Sequence, residues 1–449
     1  MFGKDRLLSI RIYLAFALFA FASHGAQVLA APSSPKKRID FRQALQLALE
    51  KSPDYDVAIR SEFNSRLNYK NSWSVLLPEV DLKAQNGYAN QGGNLFYNET
   101  NPATPWSNLF SLNIAENLYD NGLSWRLMKI ADLNRRLGSL NLQRGRQLLL
   151  ENVAKSYYDF SESFENISLQ RQEIESLRKE FRTIEGRYHQ GQSSNRDFLR
   201  IKAQLQRSEV SFANQEFNTE ATKQTLSLAV GQRENLDYVP MVPVDKDLAV
   251  LDFPEVSPED SLDFQIAHLQ DEVSDLKYRS VVREDWPRLS LTGSYSYNVP
   301  QYVGAHTPGV DDPYWNLQGM LVVDYALWDW GIRGRNVEIA DNQRNIEKDA
   351  QETVRVRVSQ DLNKLKSQIA LLKNSYNKSI QILKDEEEVY ASLNRGYRDG
   401  KVTYLELITS LSDLYSSRSQ YLGFQYSLLR ARASLAFYQG NLDDVLAIK

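Results

Sequence analysis

Apolar and polar residues alternate strictly in four stretches of the chain, and elsewhere apolar residues recur every third or fourth position. Val80, Leu82, Ala84 and Tyr88 oppose Asp81, Lys83 and Gln85. Phe110, Leu112 and Ile114 oppose Ser111 and Asn113. Leu289, Leu291, Tyr295 and Tyr297 oppose Ser290, Thr292, Ser294 and Ser296. Leu317, Leu321, Val323, Tyr325 and Leu327 oppose Asn316, Gln318 and Asp324. A period of two predicts strands over Glu79 to Asn90, Trp106 to Tyr119, Arg288 to Val299 and Tyr314 to Trp328, each with one apolar and one polar face. A half-buried soluble sheet or an outer-membrane barrel with a wet lumen satisfies that pattern. A strand length of about 12 residues and the aromatics Trp106, Tyr295, Tyr297, Trp315, Trp328 and Trp330 favour the barrel.

Between the strand pairs the period changes. Val354, Val358, Leu362, Leu365, Ile369, Leu372, Tyr376, Ile380 and Leu383 step by fours and threes, a coiled-coil-like stripe. The fourteen prolines leave this region free: none lies between Trp106 and Val239, and none follows Pro313. Proline inside a helix costs about 3 kcal/mol, so these gaps admit very long helices. The expected helices run from Asp40 to Leu77 with a break at Ser52-Pro53, for about 65 residues from Leu123, from Ser194 to Val230, from Glu259, from Ile332 to Gly396, and from Thr403 to Gln439. A helix of about 65 residues is roughly 98 Å long. The helices beginning near Asp40 and Ser194, about 37 residues each, would together span it end to end. The links at 91–105 and 300–313, rich in Gly, Asn and Pro, read as exposed loops.

The chain repeats itself. Asp54 and Asp263, Pro78 and Pro287, Leu118 and Leu327, Tyr188 and Tyr397, and Gly231 and Gly440 are all 209 residues apart. Five matches in order at one offset indicate tandem duplication of a large unit, with a period too long for a solenoid. Upstream, Lys4, Arg6 and Arg11 precede an apolar run from Ile12 to Ala22 and the small-residue site Val28-Leu29-Ala30. That is the pattern of a secretory signal peptide; the alternative, an uncleaved anchor, has too short an apolar run. The expected division is a signal peptide at 1–30, a first repeat at 31–231, a linker at 232–258, a second repeat at 259–440 and a short tail at 441–449.

Composition removes several classes of function. There is no cysteine, hence no disulfide and no thiolate chemistry. The four histidines, His24, His189, His268 and His306, are far apart, and no metal or cofactor is expected. A net charge of -4, or -6 without residues 1–30, gives no footprint for nucleic acid. No phosphate-binding loop, dinucleotide fingerprint or nucleophile elbow is found, so no enzyme is expected. The run Asp385-Glu386-Glu387-Glu388 reads as a solvated helix face.

The signal segment, the duplicated strand-strand-long-helix units and the paired phrases Leu118-Tyr-Asp-Asn-Gly122 with Leu327-Trp-Asp-Trp-Gly331, and Tyr188-His-Gln-Gly191 with Tyr397-Arg-Asp-Gly400, together resemble the TolC-type outer-membrane efflux family over residues 40–440. The resemblance implies a mainly helical chain with strands, forming a homotrimer. Its 12-stranded barrel would sit in outer-membrane lipid and continue as a helical barrel in the periplasm. The implied function is an export duct for small molecules or unfolded proteins, served by a periplasmic adaptor and an inner-membrane pump or secretion ATPase. The strand count leads part of the way independently. Four strands per chain cannot close a membrane barrel, whose smallest examples have eight, so copies must associate. A periplasmic coiled-coil adaptor or scaffold is the alternative; it explains the helices but not the strands.

Within the family the helix-to-helix turns, here at Gly191 and Gly400, form a tip that is closed at rest. The resemblance places Asp197, Tyr397 and Glu406 at that aperture. Val402 and Thr409 depart from the family pattern, standing where a gating arginine and a second acidic residue are found in its best-known member. Asp197 and Glu406 read equally as helix-start acids, worth about 0.3–1 kcal/mol each, and Tyr188 and Tyr397 as packing residues. Asp120, Gly122, Asp329 and Gly331 read as turn residues at the strand-to-helix junctions.

Overall fold

A computed structural model of the chain describes residues 37–88, 106–232, 238–241, 256–284, 286–301 and 313–440. The expected signal peptide, most of the two loops and of the linker, and the tail lie outside the described residues. Among those described, no helix is long and apolar enough to cross a membrane.

A short strand β1, Lys37–Ile39, opens the described chain and pairs with β4, Tyr238–Pro240. Helix α1, Phe41–Lys51, is capped by Asp40 in a capping box with Gln43. It stops where the sequence places the Ser-Pro break, because Ser52 already caps α2, Pro53–Ser72, with Pro53 in its first turn. The predicted helix to Leu77 tightens instead into a 3-10 turn at Trp73–Leu76. Strands β2, Glu79–Tyr88, and β3, Trp106–Tyr119, follow, then α3, Leu123–His189, and α4, Asn195–Ala229. The second half repeats the order with α5, Leu262–Val282, β5, Arg288–Gln301, β6, Tyr314–Asp324, α6, Ile332–Arg398, and α7, Tyr404–Gln439. Helix α5 starts later than expected: Glu259 falls in a 3-10 turn, Pro258–Asp260, and Ser261 caps the helix by accepting a bond from the Phe264 N–H at 3.2 Å.

The two long helices are 67 residues each, about 100 Å, and begin 209 residues apart. The backbone carries the same period. Every described residue with positive φ belongs to one of four pairs at that offset: Asn121 and Trp330, Gly122 and Gly331, Gly191 and Gly400, Gly231 and Gly440.

The four longer strands form one antiparallel sheet in the order β2-β3-β5-β6, apart from the short β1–β4 pair, so the two copies join through β3 and β5. The register puts Leu82 beside Leu112, Leu112 beside Tyr295, Tyr295 beside Leu317 and Leu291 beside Leu321 on one face. Asp81, Asn113, Ser294 and Gln318 line up on the other. Among the described residues nothing covers the apolar face: Leu82 is 78%, Leu317 69% and Leu321 62% exposed. Glu116 interrupts that face near its helix end, beside Leu291. Among the described residues, strands β2 and β6 are each paired on one side only. The strand predicted to Trp328 ends at Asp324, because Asp324 pairs with Arg288, the first residue of β5, and beyond it no ladder partner remains.

Helices α3 and α4 pack as one hairpin and α6 and α7 as another; α2 lies on α3, α5 on α6, and the hairpins meet through α3 and α7. At Gly231, just beyond α4, an added Cβ would lie 2.5 Å from the Lys51 carbonyl oxygen. The end of α4 thus abuts the α1–α2 break, giving the end-to-end arrangement along α3. The predicted stripe on α6 holds through Val358, Leu362, Leu365, Ile369 and Tyr376, all buried. It then fails at Ile380, which is exposed while Ser379 is buried. An α-helix drifts about 20° per heptad relative to a 3.5-residue repeat, and the seam moves round by one position.

Candidate functional site

The two helical turns come together at one end of the hairpins. After α3, the Gln192 N–H donates to the Arg187 carbonyl at 2.8 Å and the Gly191 N–H to that of Tyr188 at 2.9 Å. After α6, Lys401 and Gly400 make the matching bonds to Gly396 and Tyr397 at 2.9 and 3.1 Å. These are Schellman closures, which need the left-handed φ of +72° and +74° that Gly191 and Gly400 supply. Beneath the turns, Leu177, Ile184, Ile201, Tyr404, Ile408 and Leu411 form a buried core, with Phe181, Phe198 and Tyr397 against it. All four hairpin helices contribute, so the core holds the two turns side by side.

Both acids at this end are engaged by their own helix starts. The Thr403 N–H donates to Glu406 Oε2 at 2.8 Å, and the Glu406 N–H to Thr403 Oγ1 at 3.4 Å, a capping box. The backbone bond from Thr403, helped by its hydroxyl, holds the exposed Glu406 carboxyl below the ordinary carboxylate range. The Asp197 N–H donates to Ser194 Oγ at 3.1 Å, and that hydroxyl donates to Asp197 Oδ2 at 2.7 Å. The capping reading of both acids is therefore realised in the single chain.

Tyr397 does more than pack. Arg187 Nη1 donates to its hydroxyl at 3.0 Å, and the guanidinium lies 5.5 Å from the ring centroid. This contact runs from the end of α3 to the end of α6 and ties the hairpins at their tips. Burial raises the Tyr397 hydroxyl; the Arg187 charge opposes that shift, and Glu180 and Asp197 add to it. Glu180, half-buried below, is itself raised by burial against the pull of Lys179, Arg187 and Arg398. Burial likewise raises Tyr404, with Glu180 reinforcing it. Tyr188 instead stacks on Phe198, with centroids 4.8 Å apart. Val402 packs into the space left by Gly396, where an added Cβ would meet its Cγ2 at 2.6 Å, and Thr409 is exposed.

At the strand-to-helix junctions, Asp120 Oδ2 accepts from the Ser124 N–H at 2.8 Å and from the Ser124 hydroxyl. Burial raises its carboxyl, but the bonds from Ser124, Leu123 and Gly122 together leave it below the ordinary value. Asp329 accepts from the Arg333 N–H at 2.7 Å and the Gly331 N–H at 3.0 Å, and the Arg333 bond, the largest effect, holds it low. Each turn closes through a carbonyl bond, Leu123 to Asp120 at 3.0 Å and Ile332 to Asp329 at 3.2 Å. Sequence reasoning missed the residues that brace them. Arg126 donates to the Asn121 carbonyl at 2.9 Å and Arg335 to that of Trp330 at 3.3 Å. These arginines are again 209 apart, so the repeat could have revealed them. Arg187 had no such signal, since its counterpart is Gly396.

Comparison with known proteins agrees with this architecture. The model of the family described as outer membrane efflux protein matches residues 44–232 and 257–441. Outer membrane protein TolC of Salmonella enteritidis is 21% identical over 388 residues, covering 84% of this chain and 77% of that protein. The outer membrane protein VceC of Vibrio cholerae superposes with a TM-score of 0.74 at 14% identity, covering 89% of this chain and 96% of that one. A membrane protein from Pseudomonas aeruginosa gives 0.76 at 15% identity, with coverages of 89% and 93%. Among the described residues no cluster of side chains is suited to a metal ion.

Proposed function

The chain belongs to the outer membrane efflux protein family, and we propose that three copies of it make up the complete duct. It is an export channel of the outer membrane, with its helices in the periplasm. The observation that carries the trimer is the four-stranded sheet with an uncovered apolar face and two open edges. Three copies joined β6 to β2 close twelve strands around a passage and leave no edge unpaired. Two copies would give eight, with an interior filled by side chains. The apolar face meets lipid, and the face of Asp81, Asn113, Ser294 and Gln318 lines the lumen.

At the periplasmic end, the turns at Gly191 and Gly400 form the aperture. The Arg187–Tyr397 contact holds the two hairpins of each chain together there, and Asp197 and Glu406, present three times each, give the mouth a negative field that attracts cations. The duct is passive: it performs no catalysis, and an inner-membrane pump with a periplasmic adaptor delivers the exported molecule to the tip. The chain divides into repeats 31–231 and 259–440 behind a cleaved leader, 1–30.

Extraction of outer membranes followed by native mass measurement tests the assembly. A detergent-stable trimer that conducts ions in planar bilayers is expected, and a soluble periplasmic monomer would refute the reading.

A further inference from the structure

The four strands do not share the wet face equally. On that face β2 presents Glu79, Asp81 and Lys83 in successive positions, about 6.8 Å apart along the strand. The row through Asp81 continues across the sheet as Asn113, Ser294 and Gln318, all uncharged. The rows through Glu79 and Lys83 likewise meet only hydroxyl, amide or apolar side chains on β3, β5 and β6. The pair Arg288 and Asp324, at the helix end, carries the other charges of this face. Glu79, Asp81 and Lys83 are exposed, and their side chains have no hydrogen bond or ion pair among the described residues. Nor is the pattern inherited from the duplication: 209 residues on stand Arg288, Ser290 and Thr292.

We propose that Glu79 and Asp81 make the helix-side part of the barrel lumen selective for cationic permeants, and that Lys83 places an opposing charge directly beyond them. The inference rests on the trimeric lumen proposed above. Three copies bring six carboxylates around the passage and three ammonium groups above them. Strand β2 leaves the turn at Trp73–Leu76, so a molecule arriving from the helices passes the Arg288–Asp324 pair, then meets the acids and after them the lysines. Apart from the Arg288–Asp324 row, whose two charges oppose each other, the remaining described rows are neutral, so nothing in the adjoining rows cancels either sign. A charge about 6 Å away through water shifts the local population of a monovalent ion about threefold, and the effect reaches about 30 Å at 0.01 M salt but only about 3 Å at 1 M. The filter thus acts on cationic and anionic solutes in opposite senses, and only at modest ionic strength.

The absence of cysteine allows a direct probe in the full-length trimer. Asn113→Cys places one thiol per chain beside Asp81 on the lumenal face, reachable from the extracellular mouth whatever the state of the tip. Reaction rates are compared for a trimethylammonium and a sulfonate methanethiosulfonate, each normalised to a free thiol. At 0.01 M salt the cationic reagent should be favoured by about tenfold. Glu79→Gln with Asp81→Asn, which leaves Lys83 unopposed, should invert that preference to about threefold in favour of the sulfonate, Lys83→Gln should raise the wild-type preference about threefold, and 1 M salt should bring all variants close to parity. A ratio untouched by removing both acids, or moved the same way by removing Lys83, would overturn the proposal. A thiol inert to both reagents in an intact trimer would overturn the lumenal assignment itself, whereas failure to find any trimer would refute the proposed function first.

Discussion

Replacing Leu317 by Arg tests which face of the sheet meets lipid. Leu317 is 69% exposed in the single chain and pairs with Tyr295, near the middle of the 14-residue strand β5. Its neighbour Gln318 pairs with Ser294 on the other face. If the apolar face lies in the membrane, Leu317 sits close to the bilayer midplane, where a lipid-facing Arg costs about 2–4 kcal/mol. The substitution occurs in every copy, so a trimer bears about 6–12 kcal/mol. Each 1.4 kcal/mol is tenfold in an equilibrium, and even the lower figure exceeds four decades. Gln318→Arg, in water, should cost almost nothing. Leu291, which pairs with Leu321 nearer the helix end, should be intermediate, because the penalty falls to about 0–1 kcal/mol at the interface. Thr292→Arg, on the opposite face, should be tolerated. The assay is trimer yield in the outer-membrane fraction on native gels, beside total expression. Loss at Gln318 equal to or greater than loss at Leu317 would refute the face assignment.

At the tip, Arg187→Ala or Tyr397→Phe removes the bond between hairpins and should raise open probability in planar bilayers; unchanged gating would reduce the contact to packing. Glu406→Gln should weaken cation preference and block by multivalent cations. Since the folded carboxyl of Glu406 is held below its unfolded value, its capping contribution is present above that unfolded value and is lost as pH falls through the depressed one. In wild type the block should therefore persist at pH 4.5 and fade only below it, which conductance titration checks. Glu180 behaves oppositely: its folded value is raised, so the tip core is most stable at low pH and weakens as pH rises through 4.5 towards the folded value. Glu180→Gln should flatten that dependence in amide exchange across residues 177–184. Gly331→Ala, at φ +77° and with the new Cβ 3.2 Å from Arg335 Nη1, should cost about 1–2 kcal/mol per chain in thermal unfolding.

Much of the architecture was legible in the residue order because it depends on local rules. Strand alternation needs only a period of two, and the strands appear where Val80–Leu82–Ala84 and Leu289–Leu291 mark them. Long helices need only the absence of proline, and α3 and α6 begin at the predicted Leu123 and Ile332. Duplication needs only a constant offset, which the positive-φ pairs repeat in backbone form. At the junctions, Asp120 and Asp329 stand beside glycines that demand a turn, and both accept its backbone hydrogen bonds.

What tertiary structure decided is everything that depends on which segments become neighbours. That β3 pairs with β5 across the two copies follows from sheet assembly, not from either strand's pattern. Strand β6 stops at Asp324 because β5 has no residue left to pair with it, although the alternation continues to Leu327. The seam on α6 takes Ser379 in place of Ile380, since helical drift is resolved only against a partner. The tip shows the same division most clearly. Thr403 and Glu406, three residues apart, meet through local geometry that a capping motif announces in advance. Arg187 and Tyr397, 210 residues apart, meet only because two hairpins pack against one buried core.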